Sequence, residues 1–165
     1  MRTITDILVL FPLTKAEDWK QHPKGNGWVK ITAHVEATCT IEGVVSDNAR
    51  VLGNARVSGD AYVFGDARVS GDAWVCGNAW VFGYAQVSGD AQVSGDAWKT
   101  TPLFVQGTKH GATNCKHGWL AIGCEVRTFA DWKANVETIA EENGYTKEEA
   151  AEYRAIVDFM IKVGK

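Results

Sequence analysis

The chain has 165 residues, 45% hydrophobic and 22% charged, with a formal net charge of −3 at neutral pH. This composition fits one globular domain with a small appendage and excludes both intrinsic disorder and two large domains. The longest apolar run, Ile7 to Leu13, is far short of the roughly 20 residues of a membrane span and lacks a signal-peptide leader, so a cytoplasmic protein without membrane association is expected.

Residues 1–28 are expected to form an N-terminal cap, with a strand from Thr3 to Leu10 and a short helix opened by Thr14 and Glu17. From residue 29 a six-residue rhythm begins. Val29, Val35 and Ile41 are evenly spaced, with Ala33 and Cys39 two positions before the last two. The next step, Ile41 to Val45, is four residues and implies a two-residue deletion at one corner. From Ala49 to Ala97 the unit Ala-x-Val-x-Gly-Asp/Asn recurs without a gap, through Val51, Val57, Val63, Val69, Val75, Val81, Val87 and Val93.

Residues two apart on an extended segment point to the same side, so each unit offers a small Ala and a β-branched Val to an interior. Gly followed by Asp or Asn tolerates positive φ and turns the chain. Three such edges close a triangular coil. Successive coils then stack at strand spacing, about 4.8 Å. The expected fold class is therefore mainly β: a parallel β-helix of about four coils over residues 29–100, a β-hairpin over 101–127 and a two-helix hairpin over 128–165. The motif closely resembles the hexapeptide-repeat family, and that resemblance implies a left-handed helix and assembly as a homotrimer.

With a coil of about 18 residues, the variable positions become ladders on three outer faces. One carries Arg50, Arg68 and Gln86; the second Arg56, Trp74 and Gln92; the third Tyr62, Trp80 and Trp98, flanked by Phe64 and Phe82 and followed by Tyr84 at a corner. The aromatic cluster Tyr62, Phe64, Trp80, Phe82, Tyr84 and Trp98 is too large to stay bare on a monomer. It marks an interface, covered by the C-terminal segment or by a neighbouring subunit, or else an open ligand site. Residues 45–98 hold three Arg against six Asp, while both flanks are balanced. No face is broadly basic, which excludes bulk nucleic-acid binding. Arg56, Arg68, Trp74 and Gln92 are the candidate ligand-binding set: Arg suits phosphate, an indole stacks a base, and an amide both donates and accepts.

After Ala97, Lys99 occupies a valine slot and the repeat stops. Pro102 to Gln106 and Trp119 to Val126 read as two strands joined by a polar loop. His110, Cys115, His117 and Cys124 are chemically permissible zinc ligands, but their spacing fits no standard template, and no cofactor is expected. Thr128 with Asp131 opens one helix, with Phe129, Trp132, Val136 and Ile139 on its apolar face. Thr146 with Glu149 opens the other, bearing Tyr153, Ile156, Val157, Met160 and Ile161.

Three functions suit this arrangement. The resemblance implies an acyl-CoA-dependent acyltransferase with a His as general base, for which His34 is the β-helix candidate. The regular prism and aromatic face suit a structural or protein-binding module. The third is non-catalytic sequestration of a nucleotide at grooves between subunits. The layout from the Gly-Asp-Ala-x-Val repeat through "PLFVQG" and "LAIGCEV" to the helical pair resembles accessory proteins of tailed phages and prophages, which implies a host-defence inhibitor.

Overall fold

The computed structural model describes residues 2–95, 97–98 and 101–164. The chain divides into two compact units, residues 1–90 with 94–101 and residues 91–93 with 102–165. The first is a parallel β-solenoid of about four turns. One face runs Trp28–Lys30, Val44–Val45, Tyr62–Val63, Trp80–Val81 and Ala97–Trp98; a second runs His34–Val35, Arg50–Val51, Arg68–Val69 and Gln86–Val87; the third includes Thr40–Ile41, Arg56–Val57 and Trp74–Cys76.

The Ala and Val positions behave as their side-chain alternation requires: Val51 through Val81 and Ala49 through Ala85 are fully buried. Backbone bonds join coil to coil, as in Tyr62 N–H to the Ala79 carbonyl (2.9 Å) and Phe64 N–H to that of Val81 (3.0 Å). The corners need glycine. At Gly71, φ is +74° and a Cβ would lie 3.0 Å from the backbone of Gly89 one coil on. Asp47 takes the same left-handed conformation (φ 56°) at the corner after Val44–Val45, which a short polar side chain tolerates.

Coil length varies in a way the sequence explains. Trp28 faces Val44, and His34 faces Arg50, sixteen residues on. Later partners, Val44 with Tyr62 and Arg50 with Arg68, are eighteen apart. The two-residue deletion falls at Gly43, where a Cβ would stand 2.3 Å from the Ala61 carbonyl oxygen. The last rung slips by one, so that Trp80 faces Ala97 and Val81 faces Trp98. Trp98 therefore enters the buried valine column, only 2% exposed, and is not the outward interface residue expected from an 18-residue ladder.

The N-terminus also differs from its reading. Residues Ile4–Leu10 form helix α1, not a strand, and the short helix expected after Thr14 is a single 3₁₀ turn, Ala16–Asp18. Thr3 and Asp6 make a reciprocal capping box, and Ile4, Ile7, Leu8 and Phe11 have helical spacing, which together outweigh the β-propensity of Ile and Val. Ile7 packs with Trp19 and Val44 in a small core bordered by Phe11, Trp28 and Tyr62. Strand Trp19–Gln21 pairs antiparallel with Trp28–Lys30 and covers that sheet edge. It is thus the N-terminal segment that packs on the first rungs of the aromatic face.

The second unit contains an antiparallel sheet of four strands, Phe104–Gln106, Gly111–Lys116, Trp119–Ile122 and Glu125–Thr128, where a two-stranded hairpin was expected. The loop read as polar contains the strand Gly111–Lys116, and the apolar stretch after it breaks at Gly123, whose φ is +57°. Helices α2 (Phe129–Glu142) and α3 (Lys147–Val163) start at the Thr128 and Thr146 caps read from the sequence. Trp132, Val136 and Ile139 meet Tyr153, Val157 and Met160 in a core with Leu120 and Ile122.

Candidate functional site

The outer faces of the solenoid carry an unusual charge arrangement. His34, Arg50, Arg68 and Gln86 occupy consecutive rungs of one face, and Arg50 lies directly opposite Arg68. Like charges in that relation repel and destabilise a sheet. Four corner aspartates have other partners. Asp60 pairs with Arg2 (2.9 Å) and Asp47 with Lys30 (3.6 Å). Asp66 accepts from the Asn48 amide (3.4 Å) and Asp72 from that of Asn54 (3.2 Å). Among the described residues, none of Arg50, Arg56 and Arg68 makes an ion pair or a side-chain hydrogen bond.

On the adjacent face Arg56 is the register partner of Trp74. Trp74 is 40% exposed, and its indole N–H donates to the Ser58 hydroxyl (2.8 Å). That bond fixes the ring against the sheet. Burial pushes the neighbouring Cys76 thiol up, which disfavours a thiolate nucleophile here. Two of the four candidate ligand residues, Arg56 and Trp74, are therefore brought together, while Arg68 sits on the neighbouring face. Gln92 belongs to the second unit. The residue underweighted from the sequence is Arg50, whose importance follows only from its opposition to Arg68.

The aromatic ladder is continuous below α1. Tyr62 lies 6.2 Å from Phe11 and 5.6 Å from Trp80, and Phe64 stacks on Phe82 at 5.0 Å. The Arg2 guanidinium sits 4.7 Å over the Tyr62 ring. Farther down, Trp80 is 49% and Tyr84 81% exposed.

Residues 45–59 and 61–77 match the family model described as YdcK Beta solenoid repeat. Both stretches lie within the coils just described, so the match supports a β-solenoid repeat and is silent about chemistry. No curated protein and no solved structure matches the chain. His34, the general-base candidate of the transferase reading, is exposed on this β-solenoid one rung from Arg50, and no described side chain orients its ring.

The second unit contains a cavity of about 410 Å³, lined by Gln92, His110, Cys124, Trp132, Val136, Tyr145 and their neighbours. Tyr153 forms part of its wall and anchors the preceding turn. Its hydroxyl donates to the His110 carbonyl (2.9 Å) and accepts from Lys109 N–H (3.0 Å). Burial pushes the Tyr145 phenol up to about 12, with Tyr153 adding to the effect. Of the four metal-ligand candidates, His110 and Cys124 line this cavity, and Cys115 is buried in the sheet. His117 lies at the turn before Trp119. Among the described residues no group of three or more His, Cys, Asp or Glu is placed to hold a metal ion. Tyr145 and Asn143 carried no functional reading in the sequence.

Proposed function

We propose that this β-solenoid is a non-catalytic binding protein that assembles as a homotrimer and holds a phosphate-bearing, nucleotide-type small molecule in grooves between protomers. Arg50 and Arg68 take the phosphate, and Arg56 with Trp74 takes the base, the indole by stacking and the guanidinium by bonding to its edge. The observation that carries this reading is the directly opposed pair Arg50 and Arg68, neither of which makes an ion pair among the described residues. A bound anion removes the repulsion that the free protein tolerates. Stoichiometric capture of a signalling nucleotide in the host cytoplasm, as a phage-encoded inhibitor of host defence would require, is the role such chemistry serves. The aromatic rungs at Trp80 and Tyr84 supply the contact between protomers.

Calorimetric titration with cyclic and linear nucleotides tests this, alongside light scattering for assembly state. Saturable binding, recovery of the nucleotide unchanged and a trimeric mass are expected. Removing one charge-assisted bond costs about 1.5–3 kcal/mol, so Arg68→Gln should weaken binding by roughly 10- to 100-fold. Equal affinity in the Arg50→Gln/Arg68→Gln and Trp74→Ala variants refutes the assignment. The exposure of Trp80 and Tyr84 also favours a second reading, a protein partner on the aromatic face. A monomeric mass with no nucleotide binding would select it.

A further inference from the structure

We infer that the C-terminal unit carries a separate small-molecule site, in which the cavity between its sheet and α2 holds a neutral, planar aromatic or heteroaromatic molecule with a hydrogen-bonding edge. At about 410 Å³ the space matches the range of ligand pockets and far exceeds the packing defects of an ordinary core. Its walls are apolar: Ile122 from the sheet, and Trp132, Val136 and Ile139 from one face of α2.

The polar groups at the cavity fall into two sets. Some are already committed: Trp132 Nε1 donates to the Leu120 carbonyl (2.7 Å), Asn143 Nδ2 to that of Ile139 (2.8 Å), and the Tyr153 hydroxyl to that of His110. The Gln92 amide, the His110 imidazole and the Tyr145 hydroxyl line the same space and make no hydrogen bond to any described residue. Three unspent donors and acceptors around an apolar slot give a ligand orientation as well as burial.

Electrostatics selects the class. No Lys or Arg lines the cavity, and the Lys109 ammonium, 4.6 Å over the Tyr145 ring, is already paired with Glu149 at 3.0 Å, so the site disfavours a phosphate or carboxylate. Its one carboxylate, Glu125, is held by Arg127 at 2.9 Å, which also removes the attraction for a cation. Burial keeps Tyr145 a neutral phenol, able to donate to a ring nitrogen or carbonyl. The His110 ring lies 6.2 Å from Tyr145, and Tyr145 meets Tyr153 edge-on at 5.1 Å, an aromatic wall suited to a flat ring.

The test is a protein-observed NMR titration of the full chain with indole and adenine as neutral probes and benzoate as the charged control. Saturable shifts at Gln92, Val136 and Tyr145 with at least one neutral probe, and none with benzoate, are expected. Tyr145→Phe and Gln92→Ala should each weaken binding about 5- to 10-fold with an unchanged melting point. Val136→Phe, which fills the space, should abolish it. Arg56→Ala and Trp74→Ala should leave it intact, which separates this site from the solenoid faces. The inference is overturned by silence at those three residues with both neutral probes, by equal affinity in Tyr145→Phe and Gln92→Ala, or by benzoate binding as well as indole.

Discussion

Val63→Ala probes the coil at its centre. Val63 is fully buried between Val45 and Val81 on neighbouring rungs. Losing its two methyl groups forfeits about 1.5 kcal/mol of transfer free energy. The space left, on the order of 50 Å³, adds roughly 1 kcal/mol if the surroundings do not close on it. They are held open: Val44 N–H bonds the Ala61 carbonyl and Ser46 N–H that of Val63, while Tyr62 and Phe64 repeat the pattern below. Each of these four bonds is 2.9–3.0 Å long, so the rungs cannot sag together. The expected loss is about 2–3 kcal/mol, or roughly a 1 M drop in the urea midpoint. The assay is urea unfolding followed by circular dichroism, with exposed Ser88→Ala as the control, expected within about 0.5 kcal/mol of wild type. A Val63→Ala midpoint indistinguishable from that control refutes the account of the core.

Gly43→Ala should destabilise by about 2 kcal/mol or more, because its Cβ would meet backbone at 2.3 Å and backbone does not give way as a side chain does; a lower melting point checks this. Tyr153→Phe removes one donor and two acceptor contacts at the 107–110 turn. It should cost about 2 kcal/mol and speed amide exchange at Lys109 and His110. Glu149 is held below the usual carboxylate range by the Thr146 backbone N–H (2.8 Å) and then by Lys109 (3.0 Å). A depressed folded value contributes stability above the unfolded value and loses it as pH falls. The stability gap between wild type and Glu149→Gln should therefore be full at pH 6 and shrink below about pH 4.3.

The coil was legible because side-chain direction in an extended segment is binary. A strict six-residue period assigns every Ala and Val inward, and even the short step at Gly43 left a trace. Trp98 was not legible as a core residue, because an eighteen-residue ladder places it outward and only the realised register shows the slip. At the N-terminus the signal was present but outvoted: Ile4, Ile7 and Val9 favour a strand by propensity, while Thr3 and Asp6 close a helix cap. The strand Gly111–Lys116 lacks apolar alternation, and its Asn114 side chain donates to the Lys116 and Trp119 carbonyls. The ladders exposed the Arg faces, but that Arg50 and Arg68 make no ion pair among the described residues required knowing the partners of the acidic side chains. The cavity was invisible, since its lining runs from Gln92 to Tyr153 and converges only after the sheet and helices pack.

The eighteen-residue coils of the central repeat have a consequence for how such a gene can change. Recombination between its near-identical hexads adds or removes units in steps of six residues. A gain of three units returns every following side chain to its own face and simply lengthens the prism by one storey. A gain of one unit moves them all to the next face, breaking up the arginine, tryptophan and aromatic columns while leaving the valine interior intact. The repeat thus separates foldability from surface pattern: copy-number variants should fold alike, and only those in multiples of three should keep what the faces do.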